Sequence, residues 1–484
     1  MKRLRTPLSV LLAALILLSG AVCFNASALD KAVWDTNWAE NAAEISAAVT
    51  MTPASNDSDR YISWYSAAGS GEVTVKNADG SAFGTFEAQA VATPQGDYRL
   101  VAYISGLEAG KTYSYTCRSG EWTSETYEIA AYAADSFTAV YVSDIHVSHD
   151  DNNADSIRDN AYTLGQTLEA AQAKAVSNGS TLELILSGGD QASEGMRTEY
   201  VGVAANGFMK SIPFAPCIGN HDRKSVDYRY FNAIQYGTVN MAVKSYVGTD
   251  YYFVKGDVLF LVMDSNNISM GDHEKLVKKA VTENPDVKWR VAIFHHDLYS
   301  GRKPNRESEN KWLRLMWAPL ADKYGFDLCL LGHSHYYTIS NVLYNNEPVA
   351  AVENNATITD PQGTIYMVTG SINRPRGAED EIGLRESDIG HAVLTQEKIY
   401  NLIDFSEDSI VLKSYTVESD ECIGSITIEK TTNEGGHSYK TPAQWYYPLV
   451  KVISAIAGII NNIGRYYDNT QLGFDIPLFE GIFG

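Results

Sequence analysis

Positive charge, cysteine and histidine are all scarce in this sequence. Its 484 residues include 38 Lys and Arg against 59 Asp and Glu, for a formal net charge of −21. Such a surface repels phosphate backbones and anionic membranes, so nucleic-acid backbone binding is not expected. Five cysteines are too few for a cysteine-stapled scaffold, and no spacing among them forces a disulfide or a zinc–thiolate site. Cys217 and Cys329 lie in apolar runs, as buried thiols do. No apolar run in the mature chain is long enough to span a membrane. What remains is a globular balance, 45% hydrophobic and 20% charged, and a length that suits two or three domains. With only ten histidines, where they cluster becomes the informative question.

Residues 1–28 read as a secretory signal peptide. Lys2, Arg3 and Arg5 form a positive start, Leu8 to Leu18 an apolar stretch, and Ala26-Ser27-Ala28 a small-x-small cleavage site. Cleavage after Ala28 would leave a mature charge of −24 and an extracytoplasmic protein, secreted or held in the cell envelope. Cys23 follows Val22, a poor fit to a lipoprotein cysteine.

From 40 to 133 the pattern is short strands and turns. Tyr61–Tyr65, Glu72–Val75 and Tyr98–Ile104 alternate, and Asn77-Ala78-Asp79-Gly80 is a turn. This predicts a small all-β sandwich. Leu107 and Tyr113, with Trp64 on an early strand, resemble the end of a fibronectin type III-like domain, in which the tyrosine closes a corner between strands. From 136 to 430, apolar β runs alternate with helical segments, as in α/β folds. The runs are Phe137–Val142, Leu182–Leu186, Phe214–Ile218, Val258–Met263, Trp289–Phe294 and Leu328–Leu331; Ser156–Ser177 and Trp312–Tyr324 read as helices. A polar linker spans 431–444. Residues 445–484 carry Leu449, Val452, Ile453, Ile456, Ile460 and Ile463 at amphipathic-helix spacing. That helix is expected to pack on its own domain, with contact to a surface as the alternative.

Five of the β runs end in polar residues suited to metals: Ser143-Asp144-Ile145-His146, Ser187-Gly188-Gly189-Asp190, Gly219-Asn220-His221-Asp222, His295-His296-Asp297 and Gly332-His333-Ser334-His335. Functional groups in α/β sheets collect beyond the carboxyl ends of strands. Six of the ten histidines fall in these patches, a concentration that packing does not explain. Imidazole, carboxylate and amide without thiolate suit Mn, Fe or Zn, and the donors outnumber the needs of one ion.

In this order, D-x-H, G-D, G-N-H-D, H-H and G-H-x-H resemble the calcineurin-like metallophosphoesterase superfamily. The leading β domain, F-H-H-D-L-Y-S and I-Y-M-V-T-G-S add a likeness to its purple acid phosphatase branch. The resemblance implies a four-layer sandwich, two mixed β-sheets flanked by helices. It implies a first metal on Asp144, His146 and His335, a second on Asn220, His295 and His333, and Asp190 bridging them. His295 is preferred to His296 because it stands four residues before Tyr299, as in H-x-x-x-Y. His221 then lies at the phosphate as a general acid, oriented by Asp222 or another carboxylate, with a loop salt bridge as the alternative role of Asp222. His296 and Tyr299 are substrate candidates, and Arg302 and Arg374 weaker ones. Asp264, in M-D-S-N, reads as structural, and His149, His273, His391 and His437 carry no motif. The branch's colour-giving tyrosine, three residues after the bridging Asp, is replaced by Ser193, so an uncoloured enzyme is expected.

The implied reaction is attack of a metal-bridging hydroxide on phosphorus, in line with the leaving group. The expected activity is that of a secreted phosphomonoesterase with two divalent or mixed-valence ions, acting on a small phosphorylated substrate. The alternatives are a phosphodiesterase or nucleotidase on the same site, and a surface-binding protein with a catalytically weak phosphoesterase domain.

Overall fold

The computed structural model describes residues 29–133, 135–148, 153–232, 249–299, 307–376, 387–431 and 446–468. The expected signal peptide, His149, Arg302, His437, the linker beyond Thr431 and the tail beyond Asp468 lie outside them.

Phe137–Val142 shows how the centre is built. All six residues are buried, as expected of a strand covered on both faces. Phe137, Ala139 and Tyr141 point into one core; Val140 and Val142 point into another. The first core lies between two seven-stranded sheets. One sheet runs Phe214–Pro216, Leu182–Ser187, Phe137–Val142, Ile399–Phe405, Ser409–Thr416, Cys422–Glu429, Ala356–Thr359. The other runs Tyr251–Lys255, Val258–Val262, Trp289–Ile293, Leu328–His335, Ile365–Gly370, Tyr337–Ser340, Ile389–Val393. Phe260 and Phe405, one from each sheet, meet with ring centroids 5.5 Å apart. On the outer faces, Leu164, Leu168 and Ala171 of helix Ala154–Ser177 cover the first sheet. Helices Met270–Glu283 and Glu307–Tyr324 cover the second with Leu276, Leu313 and Trp317. The result is the mixed α/β four-layer sandwich. Its placement of functional groups follows from parallel pairing. Four strands of the second sheet, Val258–Val262 to Ile365–Gly370, are parallel neighbours, as are three of the first. A parallel bridge between Ser143 and Ser371 brings the carboxyl ends of the two sets together.

The N-terminal strands run from Thr50 to Ile129. The long strand Ala82–Ala92 pairs through Ala82–Glu87 with Glu72–Lys76 and through Ala88–Ala92 with Tyr98–Ala102, joining two halves that enclose Trp64, Val73, Leu100 and Tyr115. The Tyr113 hydroxyl, on strand Tyr113–Ser119, accepts the Glu108 N–H at 3.0 Å. Two helices absent from the sequence reading, Lys31–Glu40 and Ala42–Ala47, precede these strands.

No described helix is long and apolar enough to cross a membrane. The C-terminal helix, Tyr447–Asp468, packs on its own domain through Val450, Ser454 and a Lys451–Glu274 ion pair. Four residues of its expected apolar stripe turn outward instead: Leu449, Val452, Ile453 and Ile456 are exposed. Cys117, Cys217 and Cys329 are buried free thiols and Cys422 an exposed one.

Candidate metal centre

Asp190 follows strand Leu182–Ser187 and lies between two groups of donors. Its Oδ1 accepts the main-chain N–H of His221 at 2.8 Å. Its Oδ2 lies 3.2 Å from His295 Nε2 and 3.7 Å from His146 Nε2. In the first group, Asp144 Oδ1 is 3.1 Å from His335 Nε2 and 3.9 Å from His146 Nε2, and these two nitrogens are 3.3 Å apart. In the second, Asn220 Oδ1 is 3.0 Å from both His295 Nε2 and His333 Nδ1. The structure thus places all seven sequence-derived ligand candidates at one site, in the two expected groups. His221 stands beside the first group, its ring edge-on to His146 with centroids 4.8 Å apart.

The backbone that presents these side chains is unusual. Asp144, His146, Asp190, His333 and His335 all have φ between 49° and 70°. Left-handed backbone costs a non-glycine residue about 1–2 kcal/mol, so five such residues together cost an amount comparable to a domain's net stability. Such strain persists only where the surroundings over-determine it. Here His335 Nδ1 bonds the Arg374 carbonyl at 2.8 Å, and Asp144 accepts from Ser143 Oγ (2.7 Å) and the His333 N–H (2.9 Å). Gly189 also has positive φ, 105°, and a Cβ there would stand 2.6 Å from His295 Nδ1.

Charge at the site is arranged for cations. Burial works against the Asp144 carboxylate, but the His335 and His295 imidazoles outweigh it and hold it down to about 2. Asp190 is held low in the same way, against burial, by His295 and His146. Burial disfavours protonated His295 too, yet Asp190 lifts it to about 10. His146 is pushed down by burial, and its Nδ1 has no partner among the described residues. Imidazole nitrogens facing one another across shared carboxylates fit divalent ions that accept nitrogen and oxygen ligands. No thiolate takes part: the buried Cys217 turns its thiol to the Met263 carbonyl, 3.3 Å away.

Several expected roles need correction. Asp222 does not orient the His221 ring. It opens a 3₁₀ turn that drives its carboxylate inward, where it accepts the N–H groups of Gly219 (2.9 Å), Ala192 (3.2 Å) and Gln191 (3.3 Å) and the Tyr200 hydroxyl (3.0 Å). Burial and then the Asp190 charge push it up to about 7. His221 is oriented by a carbonyl, with Nδ1 2.7 Å from Ser193 O. Tyr299, expected at the substrate, is instead buried in the core. It is 2% exposed, donates to Asn346 Oδ1 at 3.0 Å and packs on Tyr366. Arg374 supplies its carbonyl to the site. His333 and His335 do not follow their strand but lie on its last residues, Leu328–His335, where the register with Ile365–Gly370 shifts. Asp264 is structural, as expected, accepting from Asn266 N at 2.9 Å.

Two residues escaped the sequence reading. Glu199 accepts the N–H groups of Ser193 (3.0 Å) and Met196 (2.8 Å), fixing the loop whose carbonyl holds His221. Ser265 lies 2.7 Å from His296 Nδ1. It belongs to M-D-S-N, a sixth polar strand ending, so the signal that found the other five was present there.

Residues 137–337 match the calcineurin-like phosphoesterase family. Among solved structures, a purple acid phosphatase from yellow lupin (Lupinus luteus) seeds aligns over 80% of this chain and 75% of its own, with a TM-score of 0.60 at 13% identity. PhoD aligns over 85% of this chain and 97% of its own, with a TM-score of 0.51 at 11% identity. At such identities the likeness is one of fold. No curated protein matches the chain in sequence. The family match falls on the strands whose ends gather the donors described above, and the chain therefore carries a calcineurin-like metallophosphoesterase domain and is a phosphoester hydrolase.

Proposed function

We propose that the protein is an exported phosphomonoesterase that works with two divalent ions drawn from Mn, Fe and Zn. The observation that carries this reading is the position of Asp190 Oδ2, which faces His295 of one donor group and His146 of the other. Asp144, His146 and His335 would hold one ion, Asn220, His295 and His333 the second, and Asp190 both. Bound ions would supply Lewis acidity toward the phosphoryl oxygens and lower the pKa of an attacking water.

The chain's own groups complete the chemistry. His221 shares the rim of the site with Asn220, both half-buried, where a substrate can reach. The Ser193 carbonyl accepts from Nδ1, so protonated His221 has Nε2–H free in orientation to donate to a departing alkoxide. Lys224 Nζ bonds the same carbonyl at 2.8 Å and steadies it. His296, 8% exposed and with its ring 4.6 Å from that of His333, is the candidate donor to a phosphoryl oxygen. The bound ions, protonated His221 and Lys224 would reconcile an acidic protein with an anionic substrate. Export is supported by the charge and apolar pattern of residues 1–28.

The test is turnover by metal-reconstituted protein of p-nitrophenyl phosphate and bis-p-nitrophenyl phosphate. Preference for the monoester is expected. Preference for the diester would replace the monoesterase reading with the diesterase one, and turnover of neither at full metal occupancy would end both. Asp190→Ala should lose metal and activity together.

A further inference from the structure

The M-D-S-N loop after strand Val258–Val262 has no role in the reading above, yet its Ser265 touches the candidate phosphate contact. Ser265 Oγ accepts the main-chain N–H of His296 at 3.0 Å and lies 2.7 Å from Nδ1 of the same residue. A hydroxyl has one proton to donate. Among the described residues, Nδ1 is the one acceptor within reach of this hydroxyl. A serine proton placed on that bond leaves neutral His296 with its own proton on Nε2, at the far end of the ring.

The loop residues around Ser265 are held at three points. The Asp264 N–H donates to Asp250 Oδ1 at 2.8 Å. Asp250 Oδ2 pairs with His273 Nδ1 at 2.6 Å, and His273 Nε2 reaches the Asn267 carbonyl at 2.6 Å. Asn266 Nδ2 donates to the Gly219 carbonyl at 3.2 Å, tying the loop to the turn that carries Asn220 and His221. All the side chains named here except those of Asn220 and His221 are buried. A loop pinned this way has little freedom to let Ser265 rotate from the imidazole.

We propose that Ser265 is a positioning residue: it fixes His296 in the Nε2–H form, so that the imidazole donates a hydrogen bond to a phosphoryl oxygen of the substrate. A neutral imidazole left to choose would place its proton on either nitrogen, and one choice presents an acceptor to an anion. The proposal rests on the phosphoesterase reading only for the identity of the anion; the tautomer is a property of the protein alone.

Two measurements separate these. Long-range proton–nitrogen correlation spectra of histidine-labelled protein, with His296 identified by the signal lost in His296→Gln, should show an unprotonated Nδ1 and a protonated Nε2. A protonated Nδ1 in neutral His296 would overturn the proposal, whatever the enzyme hydrolyses. In kinetics, Ser265→Ala should lower kcat on p-nitrophenyl phosphate about 10–100-fold, the usual cost of losing a partner that orients a site histidine. Inhibition by inorganic phosphate should weaken in parallel, and Ser265→Thr, which keeps the hydroxyl, should restore both. Ser265→Ala with unchanged kcat and phosphate inhibition would sink the functional half, and wild-type protein with no turnover would sink the phosphoesterase reading while leaving the spectrum to decide the tautomer.

Discussion

The main-chain nitrogen of Leu29 lies 2.9 Å from Oε2 of Glu169. The Leu29 carbonyl accepts from the Tyr162 hydroxyl at 2.6 Å, and a Cβ at Gly165 would meet the Leu29 side chain at 3.2 Å. All three partners lie on helix Ala154–Ser177 of the catalytic domain. Cleavage after Ala28, as proposed, would turn that nitrogen into an α-ammonium beside a half-buried carboxylate. N-terminal sequencing of exported protein should therefore read Leu29 first. Glu169→Gln should lower the denaturant-derived stability of that mature form by no more than about 1 kcal/mol, the scale of a partly exposed ion pair. A start well downstream of Leu29 would break this arrangement.

Gly332 precedes His333 where the chain has no room for a side chain. A Cβ there would stand 2.0 Å from Ser143 Oγ and 2.4 Å from Asp144 Oδ2. Neither can retreat freely, since Ser143 donates to Asp144 and Asp144 accepts the His333 N–H. Gly332→Ala should cost about 1–3 kcal/mol of stability as overpacking does. It should also lower kcat by about 100-fold, the effect of roughly 1 Å of misplacement at a reacting centre. Urea midpoints and steady-state rates check both, and a variant with native kcat would show that Asp144 tolerates displacement.

The site was legible in the sequence because its donors sit at strand ends, where chain order and spatial order agree. Asp144, Asp190, Asn220 and His295 each follow a buried apolar strand, and parallel pairing does the rest. The errors arose where direction depends on local geometry. Asp222 is adjacent to His221, but a 3₁₀ turn sends the two side chains apart. Tyr299 is four residues from His295, yet no helix or strand links them, so their spacing carries no information about facing. Ser265 was overlooked although its M-D-S-N strand ending carries the same signal as the other five, because its partner is 31 residues away. Helices Lys31–Glu40 and Ala42–Ala47 bury few residues, Trp34 and Ala47, and so show no apolar period to read.

Tyr299 gives a direct test of one of those corrections. Its hydroxyl bonds Asn346 in a turn on the outer side of the second sheet, and its ring belongs to the core formed with Trp317 and Tyr366. Tyr299→Phe removes one hydrogen bond and keeps the ring. Stability should fall by about 0.5–1.5 kcal/mol, while kcat and KM for p-nitrophenyl phosphate stay within about twofold of wild type. A tenfold loss of kcat at unchanged stability would return Tyr299 to the substrate.

His273 makes stability depend on pH away from the site's own ligands. The ring is fully buried between Asp250 and the Asn267 carbonyl, with Trp317 against one face at 4.6 Å between centroids. Burial disfavours its charged form, but the Asp250 carboxylate and both hydrogen bonds prevail and lift it to about 8, above the ordinary 6.5. A group whose folded pKa is raised binds its proton more tightly when folded. Its contribution is thus complete below pH 6.5 and is lost as pH rises through 8. The size of that shift corresponds to at most about 2 kcal/mol. Unfolding midpoints measured between pH 6 and 9 should fall more steeply for wild type than for His273→Gln, whose neutral amide has no proton to release. Parallel curves for the two proteins would mean that the imidazole is already neutral in the folded state at pH 6, and that Asp250 holds the M-D-S-N loop without a cation beside it.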